Sequence, residues 1–168
     1  GFLGTVYIAH VLSAAGYTDV AYDLLLQESY PSWLYPVKMG ATTIWERWDG
    51  QKPDSTFQDP GMNSFNHYAY GAIGDWIYRV SAGIETSSPG YRHLVLAPHP
   101  SEKMSYAKAS FDSPYGIVKS GWERNNGRIT VRVTIPANAD AEVVIPSLTV
   151  TEDGRASTNV LKDGNKTV

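Results

Sequence analysis

Apolar residues recur at helical spacing along the first part of the chain. Val6, Ile8, Ala9, Val11, Leu12 and Ala15 predict a helix over residues 6–15, with Gly16 as its stop. Thr18 or Asp19 is placed to cap a second helix, whose stripe is Val20, Ala21, Leu24 and Leu25 and whose end falls near Glu28. Pro31 and Pro36 bracket a stretch expected to be non-helical. A polar loop with Gly50, Pro53, Pro60 and Gly61 runs over residues 49–63. A loop of that length in a compact fold is usually functional or disordered. Ser64 is placed to cap a third helix, with Phe65, Ala69, Ala72, Ile73, Trp76, Ile77 and Val80 on one face and an end near Gly83.

The period changes from helical to alternating after Pro89-Gly90. Strands are expected over 91–97, 104–111, 116–123, 128–135 and 141–145. Asn125-Asn126-Gly127 marks a tight hairpin turn, and Ile129, Val131, Val133 and Ile135 alternate with polar residues. Residues 149–150 and 159–162 read as edge strands around an Asp153-Gly154 turn. Short antiparallel strands joined by turns suggest a small sandwich. The fold class is therefore α+β, divided as 1–88 and 89–168. A few helices rich in aromatic residues make a poor domain by themselves, so the first part reads as the end of a larger helical domain.

Composition narrows the function. The 168 residues contain no cysteine, which excludes disulfides, a cysteine nucleophile and thiolate metal sites. The net charge of −3 argues against a nucleic-acid partner. No apolar run approaches the ~18 residues of a membrane span, so no membrane association is expected. The first residues, Gly1-Phe2-Leu3-Gly4, lead straight into an apolar segment, as in the middle of a fold. Of the 5 Trp and 11 Tyr, most precede residue 92. Aromatic rings beside Asp, Glu and His suit a sugar site, although rings also fill cores.

The densest chemistry lies in Trp45-Glu46-Arg47-Trp48. A carboxylate between two indoles and beside a guanidinium can serve as a general base, or as half of a structural ion pair. A second group, Asn66-His67, is expected at a helix N-terminus and offers donors and acceptors to a sugar hydroxyl, or simply caps the helix. His10, His93 and His99 are scattered, so no metal site is expected. Asp75 and Arg79 have the spacing of a helical ion pair. Trp122 or Tyr115 would be the stacking platform if the β half were a carbohydrate-binding module; otherwise that half is structural.

The segments Gly1-Phe2-Leu3-Gly4-Thr5, Ala21-Tyr22-Asp23-Leu24-Leu25, Tyr30-Pro31-Ser32-Trp33, Gly40-Ala41-Thr42-Thr43-Ile44-Trp45-Glu46-Arg47-Trp48 and Ser64-Phe65-Asn66-His67-Tyr68-Ala69 resemble, in this order, the end of the catalytic domain of bacterial α-L-rhamnosidases of glycoside hydrolase family 78. Tyr91–Pro100 resembles the start of that family's C-terminal β-sandwich. The resemblance implies the last helices of an (α/α)6 six-hairpin barrel followed by a small antiparallel β-sandwich. It implies an inverting hydrolase of terminal α-L-rhamnosides that needs no cofactor and no metal, with rhamnose-containing glycans as partners. Glu46 takes the place of the family's general base, and His67 that of its sugar-contacting histidine. Trp45, Trp48, Arg47 and Asn66 are expected around the sugar.

The family's general acid lies in an upstream motif with no match in this chain; Glu28 is the nearest carboxylate by type but lacks the surroundings. The fragment alone is thus expected to be inactive, and to self-associate through the face that the missing helices would cover. Another (α/α)6 glycosidase or phosphorylase is the alternative enzyme class, because fold does not fix substrate.

Overall fold

The computed structural model describes residues 1–145 and the short strands at 151–152, 155–156, 162–163 and 166–167. The chain forms two compact units, Gly1–Trp76 and Ile77–Val168. The sequence draws this boundary later, at 88/89. The difference arises because Ile84–Thr86 is already a strand, hydrogen-bonded to its neighbour in the second unit.

In the first unit, α1 (Phe2–Ala14) and α2 (Thr18–Leu26) pack on each other. Gly16 ends the first helix at φ +86°, as its position suggests. The second starts after Tyr17 without a side-chain cap, so neither Thr18 nor Asp19 caps it. Ala9, Ala21, Tyr22 and Trp76 are buried. The Trp76 indole sits edge-on to Tyr22 at 5.0 Å and donates to Ser13 Oγ at 2.9 Å. α1 is apolar on every side, yet Leu3, Tyr7 and Val11, spaced four apart, remain exposed.

Two helical expectations are corrected. Leu34–Lys38 is a short helix, α3, although it contains Pro36. The proline occupies the first turn, where its missing N–H would have no partner anyway. Buried Ser32 accepts the Tyr35 amide there at 3.0 Å. Conversely, no helix starts at Ser64. A 3₁₀ turn begins only at Ala69 and leads into α4 (Ile73–Trp76). The main-chain groups of Ser64, Phe65 and His67 are committed to residues 43–46 and cannot supply helical bonds.

The second unit opens with a π-helical turn, Ile77–Ser81. One sheet joins β1 (Ile84–Thr86), β2 (His93–Leu96) and β6 (Asp140–Val143), with β1 and β2 antiparallel. β6 runs parallel to β2, a departure from the all-antiparallel expectation. The other sheet is the meander β3 (Tyr106–Ser113), β4 (Gly116–Asn125) and β5 (Arg128–Thr134). Its β4–β5 turn is Asn126-Gly127, both at positive φ, the geometry expected of a tight hairpin.

Ile84, Leu94 and Leu96 from the first sheet and Val118 from the second form the core, with Phe111 and Val133 packed against it. Gly83, at φ +80°, lies so close to Pro98 that a Cβ would stand 2.1 Å from the proline nitrogen. β7 (Thr151–Glu152) pairs β8 (Arg155–Ala156), and β9 (Lys162–Asp163) pairs β10 (Lys166–Thr167). The edge strand expected at 149–150, the Asp153-Gly154 turn and most of 159–162 lie outside the described residues. Among the described residues no helix is long and apolar enough to cross a membrane.

Candidate active site

Two segments far apart in sequence are laced together in the first unit. The Glu46 amide donates to Ser64 O at 2.8 Å, and the His67 amide to Ile44 O at 2.8 Å. Thr43 Oγ1 donates to Phe65 O. The Ser64 amide returns to the Glu46 carboxylate, meeting Oε2 at 2.8 Å. This lacing brings the Trp-Glu-Arg-Trp and Asn-His-Tyr motifs side by side. His67 is therefore held by its main-chain hydrogen bond to Ile44, and the helix N-terminus expected beneath Asn66-His67 is absent.

The candidate residues differ in environment. Trp45 is buried, edge-on to Phe65 at 5.1 Å. Glu46 is half-buried, and its Oε1 meets no hydrogen-bond partner among the described residues. Arg47 does not pair with Glu46; its Nε lies 3.6 Å from Asp49 Oδ1. Trp48 lies flat on Tyr70 at 3.7 Å and edge-on to Trp33 at 5.3 Å. Asn66 is exposed, and its amide donates to Ser64 Oγ at 3.2 Å. Trp33 donates its indole N–H to Tyr70 O at 2.8 Å, which ties the aromatic stack to the 3₁₀ turn. Burial pushes the Tyr70 hydroxyl above its ordinary pKa, helped by Tyr30 and opposed by the Arg47 guanidinium.

The loop over residues 49–63 is ordered by its own hydrogen bonds. Gln58 N donates to Gly50 O at 3.1 Å, and Lys52 N to Thr56 O at 2.8 Å. Gln58 Nε2 reaches Asp49 Oδ2 at 2.5 Å. Asn63 closes the loop onto Gly50 O at 3.0 Å. An open pocket of about 420 Å³ lies against it, lined by Tyr30, Tyr35, Asp49, Lys52 and Gln58 among others. The Tyr35 hydroxyl donates to Gln51 O at 2.9 Å; burial, then Asp49 and Asp54, raise its pKa.

Other sequence candidates fall elsewhere. Glu28 is in an exposed ion pair with Lys38 at 2.8 Å. Asp75 pairs with His10 at 2.9 Å, and Arg79 with Glu85 at 2.5 Å. His93 meets Asp140 at 2.6 Å. Among the described residues no group of three or more His, Asp and Glu could hold a metal. Trp122 is fully buried with its indole N–H on Ser81 O at 2.8 Å, so it cannot be a sugar platform. Phe2 and Tyr70 were not picked out by the sequence; only their contacts with His67 and Trp48 mark them.

Residues 1–80 match the family described as the bacterial alpha-L-rhamnosidase 6 hairpin glycosidase domain, and residues 83–159 the bacterial alpha-L-rhamnosidase C-terminal domain. The chain belongs to the bacterial α-L-rhamnosidase family. An alpha-L-rhamnosidase of Streptomyces avermitilis is 48% identical over 147 residues, which are 88% of this chain and 14% of that protein. The crystal structure of Streptomyces avermitilis alpha-L-rhamnosidase complexed with L-rhamnose aligns with TM-score 0.83 at 45% identity, over 93% of this chain and 16% of that one. Alpha-L-rhamnosidase from Dictyoglumus thermophilum aligns with TM-score 0.85 at 36% identity, over 99% of this chain and 19% of the other. The chain thus represents the end of a six-hairpin glycosidase domain followed by the C-terminal domain, and it spans 14–16% of the length of the curated relatives it matches.

Proposed function

We propose that the longer protein to which this chain corresponds hydrolyses terminal α-L-rhamnosides with inversion, and that Glu46 is its general base. The observation that carries this reading is the lacing of residues 43–46 to 64–67, which holds the segments bearing a half-buried carboxylate and a histidine together in a rhamnosidase-family chain.

In an inverting reaction water attacks the anomeric carbon from the face opposite the leaving group. Glu46 takes a proton from that water through Oε1, while Oε2 stays on the Ser64 amide. The glycosidic bond breaks as a second carboxylic acid protonates the departing oxygen. That acid belongs to the part of the longer protein upstream of this chain. His67 and Asn66 bond sugar hydroxyls, Trp48 forms an apolar wall while the buried Trp45 belongs to the core, and Arg47, with Asp49, holds the loop. The loop over residues 49–63 rims the cleft and tunes the aglycone. No cofactor is required by this chemistry.

The 168-residue chain alone is expected to be inactive, since losing leaving-group protonation costs about 10²–10⁴-fold. Its exposed Leu3, Tyr7 and Val11 stripe is the surface for self-association. The deciding experiment compares hydrolysis of a nitrophenyl α-L-rhamnoside by the longer protein and by its Glu46→Gln variant. A folded variant with turnover lower by orders of magnitude is expected; near-normal turnover would move the base elsewhere. Absence of turnover in the unaltered protein would reopen the choice among (α/α)6 sugar enzymes.

A further inference from the structure

Three contacts converge on the His67 ring. Phe2, in the first turn of α1, stacks on it at 5.1 Å and 17°. Tyr68 stacks on it at 5.3 Å and 5°. The Ala69 amide donates to its Nδ1 at 3.3 Å. An N–H has no lone pair to accept with, so an Nδ1 that accepts carries no proton. A neutral imidazole in that position keeps its single proton on Nε2. Nε2 meets no partner among the described residues.

We infer that Phe2 is a positioning residue for His67: with Tyr68 and the Ala69 amide it fixes the imidazole as an Nε2–H donor. The ring is thereby set to give a hydrogen bond to a sugar oxygen. This rests on the proposed placement of the sugar at His67, but the tautomer itself does not. Phe2 also touches Tyr70, at 5.3 Å, so one side chain of α1 braces both the histidine and the ring on which Trp48 lies. A free histidine side chain would have to give up rotamer freedom on binding; stacking removes that cost in advance.

The test is long-range proton–nitrogen NMR of the histidine-labelled 168-residue chain, recorded above the histidine titration range. The chain has only 4 histidines, and His67→Gln assigns the signal by its loss. The expected spectrum shows an unprotonated, pyridine-like Nδ1 and a protonated Nε2, with the ring signals displaced in Phe2→Ala and restored in Phe2→Tyr. Phe2→Leu keeps apolar bulk without the ring, should the alanine variant fail to fold. A protonated Nδ1, or ring signals indifferent to Phe2, would overturn the inference.

In the longer protein the same Phe2→Ala change is expected to raise KM about threefold to tenfold, the equivalent of one neutral hydrogen bond, by more than it lowers kcat. An unchanged KM beside a displaced NMR signal would leave the tautomer in place and remove the sugar from His67, and so would overturn the positioning role. The two readings therefore fail separately.

Discussion

Ser64 and Glu46 hold each other twice: the Glu46 amide donates to Ser64 O, the Ser64 amide to Glu46 Oε2, each at 2.8 Å. The second bond is made by the main chain, so the serine side chain is dispensable to it. In the longer protein Ser64→Ala is expected to keep near-normal turnover of a nitrophenyl rhamnoside. Ser64→Pro, which removes the N–H, is expected to lower kcat by about tenfold or more, the loss of a charge-assisted hydrogen bond that orients the proposed base. Equal activity in the two variants, with both folded by circular dichroism, would show that the tether does not orient Glu46.

The Trp122 indole is a structural group of the second unit, buried and bonded to Ser81 O. Trp122→Phe leaves that carbonyl unpaired and opens space in the core. A loss of about 1–3 kcal/mol in urea unfolding is expected. Stability unchanged by the substitution would contradict the hydrogen bond.

Gly83 is required by both its backbone and its surroundings. Its φ of +80° disfavours any Cβ, and the nearest atoms that a Cβ would meet are main-chain atoms of Ala97 and Pro98, which have little room to yield. Gly83→Ala is expected to destabilise the second unit by about 3 kcal/mol or more, seen as a large drop in thermal midpoint. Gly74→Ala, where nothing stands within 4 Å of the added atom, is the control.

The Glu123 carboxylate accepts from Arg132 at 2.6 Å, with Lys108 3.8 Å away. The Arg132 hydrogen bond and charge hold its pKa below the ordinary value. A carboxylate whose folded pKa is depressed stabilises the fold above its unfolded pKa, about 4.3 for glutamate, and loses that contribution as pH falls through the folded value. Glu123→Gln is therefore expected to lower stability slightly at neutral pH and to converge with the unaltered chain in acid. The pair is exposed, so the difference is small. Urea midpoints measured across the acid range check it; a gap that persists at low pH would exclude the ion pair as its source.

The exposed stripe on α1 predicts the state of the isolated chain. Light scattering is expected to show association that Tyr7→Lys with Val11→Glu abolishes. A clean monomer before substitution would count against that surface.

Periodicity found α1, α2 and the β3–β4–β5 meander, because each uses local signals: a helical stripe, Gly16, an Asn-Gly turn. It missed where Ser64–Tyr68 goes. Those residues carry a cap signal and an apolar stripe, but their main-chain groups bond to residues 43–46, a tertiary partner that no window reveals. Pro36 misled for the opposite reason, since a proline in a first turn breaks nothing. In the site, the chemical types at Glu46 and His67 were legible from the motifs. The lacing of their two segments was not, nor was the pairing of Arg47 with Asp49 in place of Glu46, nor the rings of Phe2 and Tyr70. β6 lies beside β2 in parallel, which alternation alone cannot distinguish from antiparallel pairing.

The lacing of residues 43–46 to 64–67 also bears on how such a site can diversify. Everything between the two laced segments leaves and returns through the same hydrogen-bonded gate, so the intervening residues behave as an interchangeable cassette. Lengthening, shortening or swapping that cassette changes the loop while the hydrogen bonds between the two laced segments stay in place. In the proposed reading, selectivity for the group attached to the sugar can be altered there without disturbing the two laced segments.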